Sequence, residues 1–185
     1  PRGSYIVKQW SEGDIEFNVR DQSVGLILLG LLGTETFDDD APVTGAHTHT
    51  FTVDNSNLHQ SLSIVEKRPF ETKRSVNAVI SQLSINMALD QYVRMTASFM
   101  GGLFATHTDT VAYVEETKFR PQDVAIKLAA NVAGLGAASV ITTIRSMSLN
   151  IAKNVEDYQG LGSVDPVDYP NKDFTVTGEF EIALE

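Results

Sequence analysis

His47 and His49 stand two residues apart in an extended stretch, so both rings point to one side and offer imidazole nitrogens to a metal. Asp38, Asp39 and Asp40 lie close by in sequence. A metal site needs three or four ligands with hydrogen-bonding support behind them, and no spacing here supplies that set. The two histidines read instead as the start of an exposed strand. The Asp38–Asp40 run lacks the alternating ligands and central glycine of a calcium loop. Gly134-Leu-Gly-Ala-Ala-Ser139 begins like a dinucleotide loop. No third glycine or alanine leads from it into a clear helix, and no strand–helix–strand unit surrounds it. His107 and Asp109 have the look of an acid–base pair, yet no nucleophile signature accompanies them. Lys67, Arg68, Lys73 and Arg74 cluster around Pro69-Phe70. They read as a solvated loop, or as the complement of an acidic surface on a neighbouring subunit, rather than a nucleic-acid patch. The sequence thus points to no enzyme, no cofactor and no metal.

Composition narrows the class further. The chain has 185 residues, a formal net charge of -10, 42% hydrophobic and 21% charged residues, and no cysteine. That is an ordinary balance for a folded chain, and the length suits a single domain over residues 1–185. An acidic protein lacks the basic face needed to grip phosphates. Without cysteine there is neither a disulfide framework nor a thiolate zinc site. The longest apolar run, Gly25 to Leu32, is far short of the ~20 residues of a membrane helix. The chain begins at Pro1 rather than Met and stops at Glu185 inside a strand-like pattern, so both ends are expected to be cut from something longer.

The dominant hydrophobic period is two. Ile15, Phe17 and Val19 alternate with Glu16, Asn18 and Arg20; Leu83, Ile85, Met87 and Leu89 alternate with Gln82, Ser84 and Asn86. After Asp90-Gln91, Val93, Met95, Ala97 and Phe99 alternate with Tyr92, Arg94, Thr96 and Ser98, which predicts a hairpin. Further strands are predicted at Thr48–Val53, Gln60–Val65, Asp123–Leu128, Ile141–Ala152 and Asp173–Leu184. Gln22 to Leu32 breaks the pattern: nearly continuous apolar residues between Asp21 as N-cap and Gly33 as C′ residue predict one short, largely buried helix. Many short alternating strands and one flanking helix make a mainly β, antiparallel sandwich or barrel. Leu83-Ser-Ile-Asn-Met-Ala88 and Met147-Ser-Leu-Asn-Ile-Ala152 share a six-residue pattern. Two half-buried strands choosing small polar residues independently account for it; a pseudo-symmetric pair of sheets is the sharper alternative. Thr34–Ala46 and Asn154–Lys172 read as long polar loops, a length that is usually functional.

In order along the chain come Gly13-Asp-Ile-Glu-Phe-Asn-Val-Arg20, the helix ending in Gly33, His47-Thr-His-Thr-Phe51 and Gln60-Ser-Leu-Ser-Ile-Val65. The hairpin Asn77–Gly102, Ser146-Met-Ser-Leu-Asn-Ile-Ala-Lys-Asn154 and Val176-Thr-Gly-Glu-Phe-Glu181 follow. This series resembles the major tail (tail tube) proteins of long-tailed bacteriophages. Thr72-Lys-Arg-Ser75 departs from it, standing where that family commonly has a glycine before the hairpin strand, which argues against the family's local turn here. The resemblance implies a tail-tube type β-sandwich with one short helix over residues 22–32, assembled as hexameric rings that stack into a hollow tube. The implied role is a structural virion protein, assembled in the host cytoplasm, whose negatively lined channel delivers the genome. Its implied partners are itself, the tape measure, the tail tip or baseplate and the terminator. DNA would pass through without specific binding, and nothing inserts in a membrane. Four strands from each of six subunits at ~4.8 Å spacing would close a wall of roughly 37 Å backbone diameter, wide enough for a duplex.

On this reading Gln82, Ser84, Asn86, Arg94, Thr96 and Ser98 face the lumen or an adjoining subunit, while Leu83, Ile85, Met87, Val93, Met95 and Phe99 fill the core. Glu35 with Asp38, Asp39 and Asp40, in the Thr34–Ala46 loop, is expected to meet the next ring, and Lys67, Arg68, Lys73 and Arg74 a neighbour's acids. The alternative is a monomeric β-sandwich binding module, such as a phage or bacterial surface adhesin. Trp and Tyr clustered at one loop end would favour it, but the one Trp is Trp10 and the five Tyr are dispersed.

Overall fold

The computed structural model describes residues 3–39, 47–54 and 60–183. Along the chain run β1 (Ser11–Asn18), α1 (Val24–Leu32), β2 (Gly33–Asp39), β3 (His47–Val53), β4 (Leu62–Lys67), β5 (Thr72–Ala88), β6 (Arg94–Gly101), β7 (Ala105–Thr106), β8 (Ile144–Ala152) and β9 (Thr175–Ile182). Every pairing between these strands is antiparallel. The mainly β class with one short helix is therefore as expected.

The long strand β5 organises the molecule. Its C-terminal half is the centre of a five-stranded path, β1-β6-β5-β8-β9, and its N-terminal half pairs with β4 and β7. Between the halves the backbone bends. Asn77 takes φ 56°, and the β5–β6 register slips between Ile80 and Gln82, as a β-bulge does when a strand changes direction. At this bend β6 comes very close: a Cβ on Gly101 would lie 2.8 Å from the Ala78 Cα and 3.0 Å from the Ser75 Oγ. Only glycine fits there. The buried Ser75 hydroxyl donates to the Gly102 carbonyl at 2.6 Å, which removes the cost of an unpaired polar group.

The core lies on the apolar side of the five-stranded path. Ile80, Leu83, Met95 and Ala97 pack with Val19, Val93 and Leu31 of the helix, joined by the half-buried Phe17, Ile85, Met87 and Ile151. Alternation thus did what the period of two predicts: one face of each strand went inside. The helix ends as predicted, at Gly33 with φ 97°, its N–H donating to the Leu29 carbonyl. Its beginning differs. The residue before the first turn is Ser23, and Asp21 instead accepts the Thr117 N–H at 3.2 Å. Its burial differs too. Leu31 is enclosed, but Leu26 on the outer side is 60% exposed, so the all-round apolar character exceeds what this subunit can bury.

Three further segments correct the sequence reading. Thr34 to Asp39 is not loop but most of β2, paired residue for residue with β3 from Gly33↔Val53 to Asp39↔His47; residues 40–46 of the expected loop lie outside the described residues. Asp123–Leu128 is not a strand: a short 3-10 turn covers Pro121–Asp123, and one bridge joins Lys127 to Val140. Its alternating Val124 and Ile126 cap the end of the sheet instead. Lys73 and Arg74, read as part of a solvated loop, lie instead in the opening of β5, where Thr72 to Ser75 pair with Lys67 to Ile64 of β4.

Candidate functional site

The register brings the six predicted hairpin residues together. Gln82 sits opposite Ser98, Ser84 opposite Thr96, and Asn86 opposite Arg94, all on the side of the sheet away from the core. The flanking strands continue that surface. On one side β1 adds Asp14 beside Ser98 and Glu16 beside Thr96; on the other β8 and β9 add Asn150, Ser148, Thr177 and Glu179. Cross-strand hydrogen bonds hold the side chains in place. Ser98 Oγ donates to Asp14 at 2.6 Å, Ser84 Oγ to Asn150 at 3.0 Å, and Arg94 reaches Glu16 at 3.2 Å. Glu12, Asp14 and Glu16 on β1 and Glu179 and Glu181 on β9 put the carboxylates of this face on its two edge strands, flanking a polar centre whose one charge is Arg94. Sequence reasoning had the central residues but missed these flanking carboxylates, because which strands neighbour the hairpin is a matter of topology and not of periodicity.

The repeated pattern now has an explanation. Leu83–Ala88 and Met147–Ala152 are not equivalent strands of two sheets; they are partners in one sheet, Leu83 opposite Ile151 and Ala88 opposite Ser146. In antiparallel register the shared Ser-x-Asn spacing sets each serine against the partner's asparagine: Ser84 against Asn150, Ser148 against Asn86.

The edges of this sheet are open. Among the described residues β1 pairs only with β6 and β9 only with β8. All of β9 is exposed, including Val176 at 56% and Phe180 at 50%. An edge with both unpaired backbone groups and uncovered apolar side chains is a template for another strand.

The second predicted group divides. Glu35 and His49 meet on one face of the β2–β3 ribbon, with His49 Nδ1 2.5 Å from the Glu35 carboxylate and the Phe37 ring packed on His47 and His49. Asp38 projects from the opposite face, across from Thr48, and Asp39 pairs in register with His47. Asp40 lies outside the described residues. Among the described residues no group of three or more His, Cys, Asp or Glu side chains is placed to hold a metal. The ribbon is an exposed arm, resting on α1 at its base.

The basic cluster is locally neutralised. Arg68 binds Glu66 at 2.8 Å and approaches Glu71; Lys73 reaches Glu71 at 3.1 Å; Arg74 lies 3.6 Å from Asp109, which also takes the His107 ring at 2.9 Å. The hydrogen bond from Arg68 holds the Glu66 carboxyl below its ordinary range. Lys67, next to them at the end of β4, completes the tip.

A buried cation lies at the base of the arm. Lys153 is 4% exposed, and among the described residues its ammonium meets no hydrogen-bond acceptor. Burial pushes its pKa below the ordinary lysine value, opposed by the Asp54 carboxylate. The unfolded chain then binds more protons than the folded one between the lowered pKa and the ordinary value near ~10.4, so stability rises with pH across that window. Lys153→Met is expected to gain ~1–3 kcal/mol at pH 7 and to lose the alkaline rise. Urea midpoints at pH 7 and 9.5 check this; a less stable Lys153→Met at pH 7 would refute it.

Among the described residues no helix is long and apolar enough to cross a membrane. No curated protein matches the chain. The model of the phage tail tube protein family matches residues 1–185, the whole length. That family is structural, not enzymatic, and its members are components of the virion tail. An acidic sheet face, two open edges and a full-length match converge: the chain belongs to the phage tail tube protein family.

Proposed function

We propose that this chain, as one domain over residues 1–185, forms hexameric rings that stack into the tail tube through which the genome reaches the host. The observation that carries the reading is the five-stranded sheet β1-β6-β5-β8-β9, polar and acidic on one face and unpaired at both ends. Joining β1 of one copy to β9 of the next turns separate sheets into one wall and removes both edges of the five-stranded path. Five strands from each of six copies give roughly 30 strands, a circumference of about 145 Å and a backbone diameter near 46 Å before tilt. That exceeds the ~37 Å obtained with four strands, and a duplex passes either.

Gln82, Ser84, Asn86, Arg94, Thr96 and Ser98 then line the channel with Asp14, Glu16 and Glu179. Fixed carboxylates repel phosphate, and the Ser84 and Ser98 hydroxyls are already engaged by Asn150 and Asp14, so DNA slides without being held. Glu35, Asp38 and Asp39 belong to the arm that reaches the adjacent ring, and Asp40 follows them in sequence. Assembly takes place in the host cytoplasm, with the tape measure, the tail tip or baseplate and the terminator as further partners.

Negative-stain electron microscopy across a concentration series, with mass photometry alongside, tests this. Rings or tubes with a central hole are expected. A monomer that stays ~20 kDa even on a tail-tip template would overturn the reading.

A further inference from the structure

The two open edges of the five-stranded path carry their acids on the same face but at different heights. Followed across the strands, Thr177 is level with Glu16 through Asn150, Ser84 and Thr96. One row higher, Glu179 is level with Asn18 through Ser148, Asn86 and Arg94. On the polar face β1 thus shows Glu12, Asp14 and Glu16 low on one edge, and β9 shows Glu179 and Glu181 high on the other. Glu181 accepts the Ser146 hydroxyl at 3.2 Å, and among the described residues neither acid of β9 meets a cation. Four antiparallel pairings separate β1 from β9, so the two strands run in the same direction. Copies related by rotation about one axis keep that direction, which makes a β9–β1 seam between them a parallel ladder.

Closing such a wall moves these heights against one another. Because neighbouring strands twist, the strands of a closed wall coil about its axis in a right-handed sense, tilted by ~35–45° in most barrels. Seen from the core side with β1 running upward, β6 lies on its right. Val19 points into the core while its N–H donates to the Val93 carbonyl at 2.8 Å, and the L configuration then fixes the side. β9 is therefore the right-hand edge, and rows of level residues descend towards it and on into the next copy. A copy five strands wide covers about 24 Å, so a tilt of ~15° lowers the meeting point on the next β1 by about two residues and one of ~40° by about six. The step is even, since an odd one would set the core face of β9 against the polar face of β1. Without any step Glu181 would come level with Arg20. A step of two sets Glu179 beside Glu16, a step of four sets Glu179 beside Asp14 and Glu181 beside Glu16, and a step of six sets them beside Glu12 and Asp14. Arg94 stands one strand further in, already against Glu16. On the core face the same steps bring the exposed Phe180 and Ile182 onto the row of Gly13, Ile15 and Phe17.

We propose that the seam between copies is gated by charge. Backbone groups and the apolar row draw β9 to the β1 of the next copy, while Glu179 and Glu181 meet that strand's carboxylates and hold the two apart until salt screens them. The inference rests on the ring reading and names what regulates its seam. Like charges opposite one another on neighbouring strands weaken pairing, and charge on an edge strand guards a sheet against unscheduled extension. Salt acts here because these acids stand at the surface, where the screening length falls from ~30 Å at 0.01 M to ~10 Å at 0.1 M and less beyond.

Sedimentation velocity across a concentration series in 0.01 and 0.5 M NaCl tests this. The native chain is expected to form rings at a ~10-fold lower concentration in the higher salt. Glu179→Gln combined with Glu181→Gln is expected to keep the melting temperature and lose most of that dependence. Glu179→Lys combined with Glu181→Lys is expected to reverse it and assemble best in 0.01 M, a sign that salting-out of apolar surface cannot give. Native rings that are indifferent to salt or weakened by it, a Gln variant with the native dependence, or a Lys variant that still assembles best in high salt would overturn the gate and leave the rings standing. If neither the native chain nor any variant forms rings at either salt, the ring reading itself falls, and the gate with it.

Discussion

A chain carrying Leu83→Asp is expected to accumulate only as unfolded, insoluble material, while Ser84→Ala, one position on, folds like the native chain. Leu83 is fully enclosed, packed among Leu31, Ile80, Met95 and Ala97. A carboxylate there has no cation partner in that cluster, and burying it costs more than most domains have to lose, since total stability is ~5–15 kcal/mol. The milder Leu83→Ala removes the transfer energy of the side chain and leaves a cavity, for a loss of ~3–5 kcal/mol. Ser84 points the other way. Its hydroxyl bonds Asn150 on a half-exposed surface, and losing that bond costs about 1 kcal/mol. Circular dichroism and urea midpoints of the three variants read out the two faces directly. A Leu83→Asp chain that melts like the native one would mean that the apolar face is not the core.

The second large effect concerns the β2–β3 arm. Replacing residues 36–50 by Asn-Gly should leave a folded subunit that makes no tubes. The cut follows the register: Glu35 and Phe51 are directly opposite, so a two-residue turn closes the ribbon without moving its base. Phe51 stays, because its ring lies against α1 near Gly25. The described ribbon residues removed, 36–38 and 47–50, are exposed with little core to lose, so the melting temperature should shift by only a few degrees. Deleting Thr34–Ala46 alone would be a poor experiment, since it strips β3 of its partner and confounds folding with assembly. Tubes of native length from the shortened chain, seen by electron microscopy, would remove the arm from the inter-ring contact.

What could be read from the chain, and what could not, divides along physical lines. β1, β6 and the second half of β5 were legible because one face of each is apolar and the other polar. β2 was not. Thr34-Glu-Thr-Phe-Asp-Asp39 is polar on both faces, since the ribbon stands away from the core, and periodicity has nothing to report there. The opening of β5 was hidden for a related reason, because the adjacent cations Lys73 and Arg74 read as part of a solvated loop. Val124, Ile126 and Leu128 misled in the opposite sense: an alternation that caps a sheet end looks like one that joins a sheet. The central residues of the acidic face were found from their own strands, and the outer carboxylates were not, because register is fixed by long-range pairing.

One strand serving two sheets has a consequence for how the molecule comes apart. Neither half of β5 can leave its partners while the other keeps its geometry, because the bend at Asn77–Ser81, gripped by Gly101 and Ser75, ties the two together. The backbone amides from Ala78 to Leu83 therefore exchange with deuterated solvent only through global opening, at the slowest rate in the chain, whereas those of the arm and of β9 exchange through local fraying. Half-built subunits with one sheet in place and one open do not accumulate. A strand edge is then on offer to any partner only when the side chains behind it are already set.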